Sequence, residues 1–194
     1  VLEVLRQPLE DREVHISRVN AAFTYPADFI LIAAMNPCPC GYLGDPQREC
    51  TCTDGEIRRY GQKISGPLLD RIDLHVSVMR PKYSELTATI QGEPSCDIAK
   101  RVAEARAVQA ERLSRWHMQS NAQMGHRQLK ETCQLDAEGT EMLRVVFEKL
   151  HLSARSYDRI IKVARTIADR AGSDQSRPKH VAEAISFRNM INGK

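Results

Sequence analysis

Residues Phe29 to Pro37 read FILIAAMNP, an apolar run that constrains this chain toward an α/β core. Ile30, Leu31, Ile32, Ala33 and Ala34 follow one another without polar alternation, the pattern of a parallel strand buried on both faces. Asn36 then falls at the strand end, where open α/β sheets hold their ligands. Directly beyond come a loop with four cysteines, CPCGYLGDPQRECTC, and the segment RYGQKISGPLLDRIDLHV, which places Arg71 beside a second expected strand, Asp73 to Val78.

On either side of this run the pattern changes. Leu2, Leu5 and Leu9 have helical spacing, and the abrupt, uncapped start implies a chain that begins inside a larger protein. Glu13 to Arg18 and Phe23 to Tyr25 read as a hairpin, with Asn20 supplying the turn. Pro81, Gly92 and Pro94 punctuate a polar stretch, so the expected domains are 1–80 and 96–194, joined by a linker at 81–95. The second domain reads as a helical bundle. Ser95 is its first expected cap, for a helix to about Trp116, and Asp136 precedes a stripe of Leu143, Val146, Phe147 and Leu150. Ser153 caps a third helix ended by Gly172, and Pro178 opens a last one through Ile191.

With 42% hydrophobic residues and no apolar run near the ~18 residues of a membrane span, the chain is expected to be cytoplasmic and away from membranes. A net charge of +3 is neutral on polyanionic partners. The four cysteines Cys38, Cys40, Cys50 and Cys52 form two C-x-C pairs nine residues apart, enough thiolates for a closed tetrahedral Zn²⁺ site. Free thiols, disulfides and an iron-sulfur cluster are the alternatives, with disulfides disfavoured in a reducing cytosol. Cys96 and Cys133 lie far from this cluster and read as ordinary thiols. Neither a GxxxxGK[ST] loop nor an apolar strand ending in Asp-Glu occurs, so these residues alone are not expected to hydrolyse ATP.

The wording from FILIAAMNP through GPLLDRIDLHV, together with SARSYDRIIKVARTIAD, resembles the magnesium-chelatase-like branch of the AAA+ ATPases, in particular its ComM/YifB competence-protein subfamily. The resemblance covers almost the whole chain. It implies the C-terminal half of an AAA+ α/β core followed by a helical lid, with the missing phosphate loop and Mg²⁺-binding carboxylates upstream of Val1. ATP and Mg²⁺ are then the cofactors of the intact protein. Asn36 corresponds to the sensor 1 residue that orients the attacking water, and Arg71 to an arginine finger that reaches a neighbouring subunit's nucleotide. Arg155 corresponds to the sensor 2 arginine, and Arg159 and Lys162 continue its helix face at i+4 and i+7. The hairpin EVHISRVNAAFTYP occupies the place of one that projects into the ring's pore, with Arg18 as its candidate DNA-phosphate contact.

Each of these residues also has a plainer role. Asn36 before Pro37 suits a turn, Arg71 can pair with Asp70 or Asp73, Arg155 and Arg159 can face solvent near Asp158 and Asp169, and an exposed Arg18 solubilises. The resemblance implies an ATP-driven ring, expected to be a hexamer, that moves along DNA and promotes branch migration in natural transformation. Two rivals are a magnesium-chelatase motor subunit and a non-enzymatic zinc-containing DNA-binding module. Porphyrin-dependent ATPase stimulation marks the first, and salt-dependent DNA binding by these residues alone marks the second.

Overall fold

The computed structural model describes residues 2–19, 21–87, 92–150 and 152–188. They fall into two units, residues 1–72 with 78–80 and residues 73–77 with 81–194.

In the first unit, a 3₁₀ turn at Leu2–Leu5 runs into helix α1, Arg6–Asp11. Strands β1, Glu13–Arg18, and β2, Ala21–Pro26, pair antiparallel from Glu13 opposite Pro26 to Arg18 opposite Ala21. This is the expected hairpin; the turn residue Asn20 lies outside the described residues. Across the ladder His15 Nδ1 and Thr24 Oγ1 are 2.9 Å apart, a cross-strand pair of the kind that holds register. Two short helices that the periodicity leaves unassigned follow. Helix α2, Asp54–Gly61, starts at a capping box in which Thr53 and Glu56 satisfy each other's backbone N–H groups. Helix α3, Gly66–Leu69, is capped by Ser65, and its Leu68 is buried.

The parallel strands expected at Phe29 to Pro37 and at Asp73 to Val78 are absent, and β1–β2 is the only sheet among the described residues. Ile30 and Ile32 are 87% and 90% exposed, and the apolar run takes no regular secondary structure. A strand buried on both faces needs neighbours to take its backbone hydrogen bonds, and the described residues supply none to this run.

In the second unit, His75 N–H donates to the Phe187 carbonyl at 2.9 Å, and a short helix α4, Tyr83–Leu86, falls in the segment read as linker. Helix α5, Ser95–Leu113, begins one residue earlier than expected, with Pro94 at the cap position and its carbonyl accepting from Asp97 N–H at 3.0 Å. Ser95 is therefore the first helical residue rather than the cap. The end tightens into a 3₁₀ turn at Ser114–Trp116. Helix α6, His126–Thr132, precedes α7, Ala137–Lys149, where Asp136 caps by accepting from Gly139 N–H at 2.7 Å. Helix α8, Ala154–Arg170, is capped by Ser153, and Gly172 beyond its end takes the left-handed φ of +61° that suits glycine. Helix α9, Pro178–Ser186, carries Pro178 in its first turn, and residues beyond 188 lie outside the description.

Leu113, Met124, Leu129, Leu143, Ile160 and Val181 gather in one core with Ala164 and Ala184. The small residues Ala164, Ala168 and Ala184 are almost fully buried on α8 and α9, where methyl side chains let helix axes approach closely. No helix among the described residues is long and apolar enough to cross a membrane.

His180 sits 2% exposed at the start of α9, and its Nδ1 accepts from Arg177 N–H at 3.1 Å. Burial, helped by Lys179 and Arg165, holds its pKa below the ordinary histidine value. The unfolded chain thus takes up a proton the native ring refuses, so stability falls as pH drops below the unfolded value near ~6.5. The loss is expected to be at most about 1.4 kcal/mol per pH unit, the limit for one proton. Urea melts of His180→Gln between pH 5 and 8 should show a flatter dependence than wild type; parallel curves would remove His180 as the cause.

Candidate functional site

The four-cysteine loop closes on itself. Gly41 N–H donates to the Cys38 carbonyl at 3.1 Å, Asp45 N–H donates to the Tyr42 carbonyl at 3.1 Å, and the Asp45 carboxylate accepts from the N–H groups of Gln47 and Arg48. These turns bring the sulfurs together. Cys38 and Cys40 Sγ are 3.3 Å apart, Cys38 and Cys50 3.6 Å, Cys40 and Cys50 3.5 Å, and all four sulfurs lie within 4.8 Å of one another. Thiolates bound ~2.3 Å from one tetrahedral Zn²⁺ stand about 3.8 Å apart, close to this spacing. The separations exceed the ~2.05 Å of a disulfide, and all four cysteines are free.

The charges within the cluster are uneven. Backbone N–H groups of Tyr42 and Thr51 aimed at Cys40 lower its pKa to about 5. Cys52 is pushed up to about 12: the Cys40 backbone lowers it, but burial and the crowding of the other three thiols outweigh that. A bound dication favours the thiolate at every position, the protonation state that metal ligation requires.

Asn36 stands at the entrance to this loop. Its amide lies beside Gly41, where φ is +82° and a first side-chain carbon would sit 3.8 Å from both Asn36 Cγ and Nδ2. Arg48 covers the Tyr42 ring at 4.0 Å and Arg80 lies 5.3 Å from its centroid, so an aromatic flanked by two guanidiniums forms the loop's outer wall.

Arg71 follows α3, and its Nη1 donates to the Pro67 carbonyl at 2.8 Å. Its guanidinium forms an ion pair with Glu10 of α1, rather than with Asp70 or Asp73. Arg18 ends β1 beside Val19 and is exposed.

On α8, Arg155 is exposed in the first turn, and Arg159 and Lys162 follow on the expected face. Arg159 pairs with Asp73, and Lys162 Nζ donates to the Ala122 carbonyl at 3.3 Å. The carboxylates that sequence reading offered to this face are engaged elsewhere. Asp158 Oδ1 is 3.3 Å from His126 Nδ1, while Asp169 is fully buried between Arg112 and Arg165. No local signal identifies Glu10 or Asp73 as partners, because each pairing joins segments far apart in sequence. The Asp169 network was likewise missed, although an Arg165–Asp169 spacing of i, i+4 on a helix was its visible part.

The family model described as "Magnesium chelatase, subunit ChlI" matches residues 1–86, and that described as "Magnesium chelatase, subunit ChlI C-terminal" matches residues 92–188. The chain is 40% identical over 193 residues to the competence protein ComM of Haemophilus influenzae, covering 98% of this chain and 36% of that protein. It is 40% identical over 189 residues to the uncharacterized protein YifB of Escherichia coli, covering 96% and 36%. An uncharacterized protein of Mycobacterium tuberculosis is 39% identical over 187 residues, covering 96% and 37%. The chain thus spans little more than a third of the length of these relatives.

Proposed function

Because the chain belongs to the magnesium-chelatase family, in its ComM/YifB branch, we propose that it is the C-terminal half of an AAA+ core with its helical lid. In the intact protein, ATP hydrolysis within a ring, a hexamer in this reading, drives movement along DNA and branch migration of transforming DNA. The observation that carries this reading is the 40% identity to the competence protein ComM across 98% of this chain.

The parts have distinct roles in it. Asn36 orients the attacking water, Arg71 reaches the nucleotide of a neighbouring subunit, and Arg155 with Arg159 faces the phosphates from the lid. The Glu13–Pro26 hairpin presents Arg18 to DNA, and the four cysteines hold a structural Zn²⁺. The unpaired run at Phe29 to Pro37 becomes a buried parallel strand when the remaining part of the core lies against it, which accounts for its exposed isoleucines. For Arg71, release from Glu10 accompanies its action on the neighbour.

Arg18→Ala in the intact protein tests the DNA assignment. The slope of log affinity against log salt is expected to fall by about one unit for one lost phosphate contact, with affinity weakened on every sequence alike. Fluorescence anisotropy across a salt series reads this directly. An unchanged slope would make Arg18 a solvated surface residue and leave DNA binding to other groups.

A further inference from the structure

We propose that the metal held by Cys38, Cys40, Cys50 and Cys52 sets the position of Asn36, so that zinc occupancy governs ATP hydrolysis rather than ATP binding. The inference rests on the reading of Asn36 as the residue that orients the attacking water.

Only Pro37 separates Asn36 from Cys38, whose side chain is fully buried. Proline fixes its own φ near −65° and confines the preceding residue to extended backbone, so little rotational freedom remains between Asn36 and the first sulfur. The loop also returns to Asn36 from the far side. Gly41, one residue after Cys40, faces the Asn36 amide, which lies 3.8 Å from where a first side-chain carbon on Gly41 would stand, and adopts a φ of +82° that a residue with a side chain rarely takes. Asn36 therefore lies just before the turn that carries Cys38 and Cys40, with sulfurs 3.3 Å apart, and the end of that turn comes back beside its amide.

Between β2 and α2 the described backbone forms turns and bends but no helix or strand. Its backbone hydrogen bonds at Gly41, Asp45, Gln47 and Arg48 and the Arg48 Nη1 donation to the Tyr42 hydroxyl lie near the surface, and its remaining N–H contacts are to the sulfurs themselves. A Zn²⁺ ion at the centre of the four sulfurs cross-links residues 38 and 40 to residues 50 and 52, and structural zinc contributes folding energy of its own. Without the ion the crowded sulfurs lose the attraction that gathers them, and the Asn36 amide loses its fixed wall. Nucleotide affinity rests mainly on the phosphate loop, which the resemblance assigns to other residues; the effect is therefore confined to turnover.

The test uses the full-length protein in three states: zinc-loaded, stripped by a chelator under reducing conditions, and reloaded. Metal analysis should give about one Zn²⁺ per chain before stripping. Stripping is expected to cut kcat by about 100-fold, the scale of a ~1 Å misplacement, while affinity for a non-hydrolysable ATP analogue stays within about twofold. Amide exchange read by mass spectrometry should accelerate at residues 34–42 but not in the hairpin at 13–26, and added zinc should restore both readouts. Full turnover by the stripped protein overturns the proposal, as does a loss of ATP affinity in step with kcat, exchange that rises throughout the chain, or iron in place of zinc. Asn36→Ala separates the two layers. If that variant turns over normally, the role of Asn36 itself fails and this proposal falls with it; if it is slow while the stripped protein is fast, only the zinc link fails.

Discussion

Arg71→Ala in the full-length protein is expected to reduce ATP hydrolysis by about 10³-fold or more while ATP binding persists. Such a loss corresponds to about 4 kcal/mol of transition-state stabilisation. The guanidinium also pairs with Glu10 and caps the Pro67 carbonyl, so some of any defect could come from a loosened first unit. A second variant separates the two causes, because it breaks the ion pair and keeps the arginine. Glu10→Gln removes the same pair and should therefore leave turnover within about tenfold of wild type. Mixing Arg71→Ala with a variant defective in the phosphate loop provides the test of action between subunits. Mixed rings contain interfaces with one intact loop facing one intact arginine, and these should recover part of the activity. Intact mixed rings with no recovery would place Arg71 in its own subunit's structure.

Asp169→Ala is expected to destabilise the helical unit by about 3–5 kcal/mol, read by urea unfolding. Asp169 has no exposed side-chain surface, and Arg165 beside it is 2% exposed. One carboxylate gathers five donors: Arg112 Nη1 and Nη2 at 2.6 and 2.8 Å, Arg165 Nε and Nη2 at 3.0 and 2.8 Å, and Asn121 Nδ2 at 2.8 Å. Removing it leaves two guanidiniums facing each other without an anion, Arg165 in the dry interior. For comparison, Glu141→Ala deletes a partner of Arg144 that is more than half exposed and should cost far less. Equal costs at the two sites would refute the interior network's role. Burial alone would raise the Asp169 pKa, but hydrogen bonds from Arg112 and Asn121 outweigh it and hold the carboxyl below its ordinary range. The native state then refuses a proton that the unfolded chain accepts, so this stabilisation is complete above the unfolded value near ~3.9 and is lost as pH falls through the lower folded one.

Features that depend on neighbours within a few residues were legible in the chain alone. Asp136 and Ser153 cap their helices because an oxygen three residues before a backbone N–H reaches it whatever lies around, and Gly172 ends α8 for an equally local reason. The strand-like pieces on either side of Asn20 and the C-x-C spacing are likewise short-range, so β1–β2 and the gathering of Cys38, Cys40, Cys50 and Cys52 agree with the order of residues. Even there a local signal was passed over: Thr53 and Glu56 spell a capping box, yet α2 lacks the length for its periodicity to be visible. What the tertiary structure alone decided involves partners distant in sequence. An apolar run such as Phe29 to Pro37 states that it belongs in an interior, but whether it becomes a strand depends on a neighbouring backbone that its own residues cannot supply. The cations show the same division. Arg71, Arg159 and Arg112 are recognisable as charges seeking anions, but only the fold selects Glu10, Asp73 and Asp169, because Coulomb attraction acts on distance in space and is indifferent to separation along the chain.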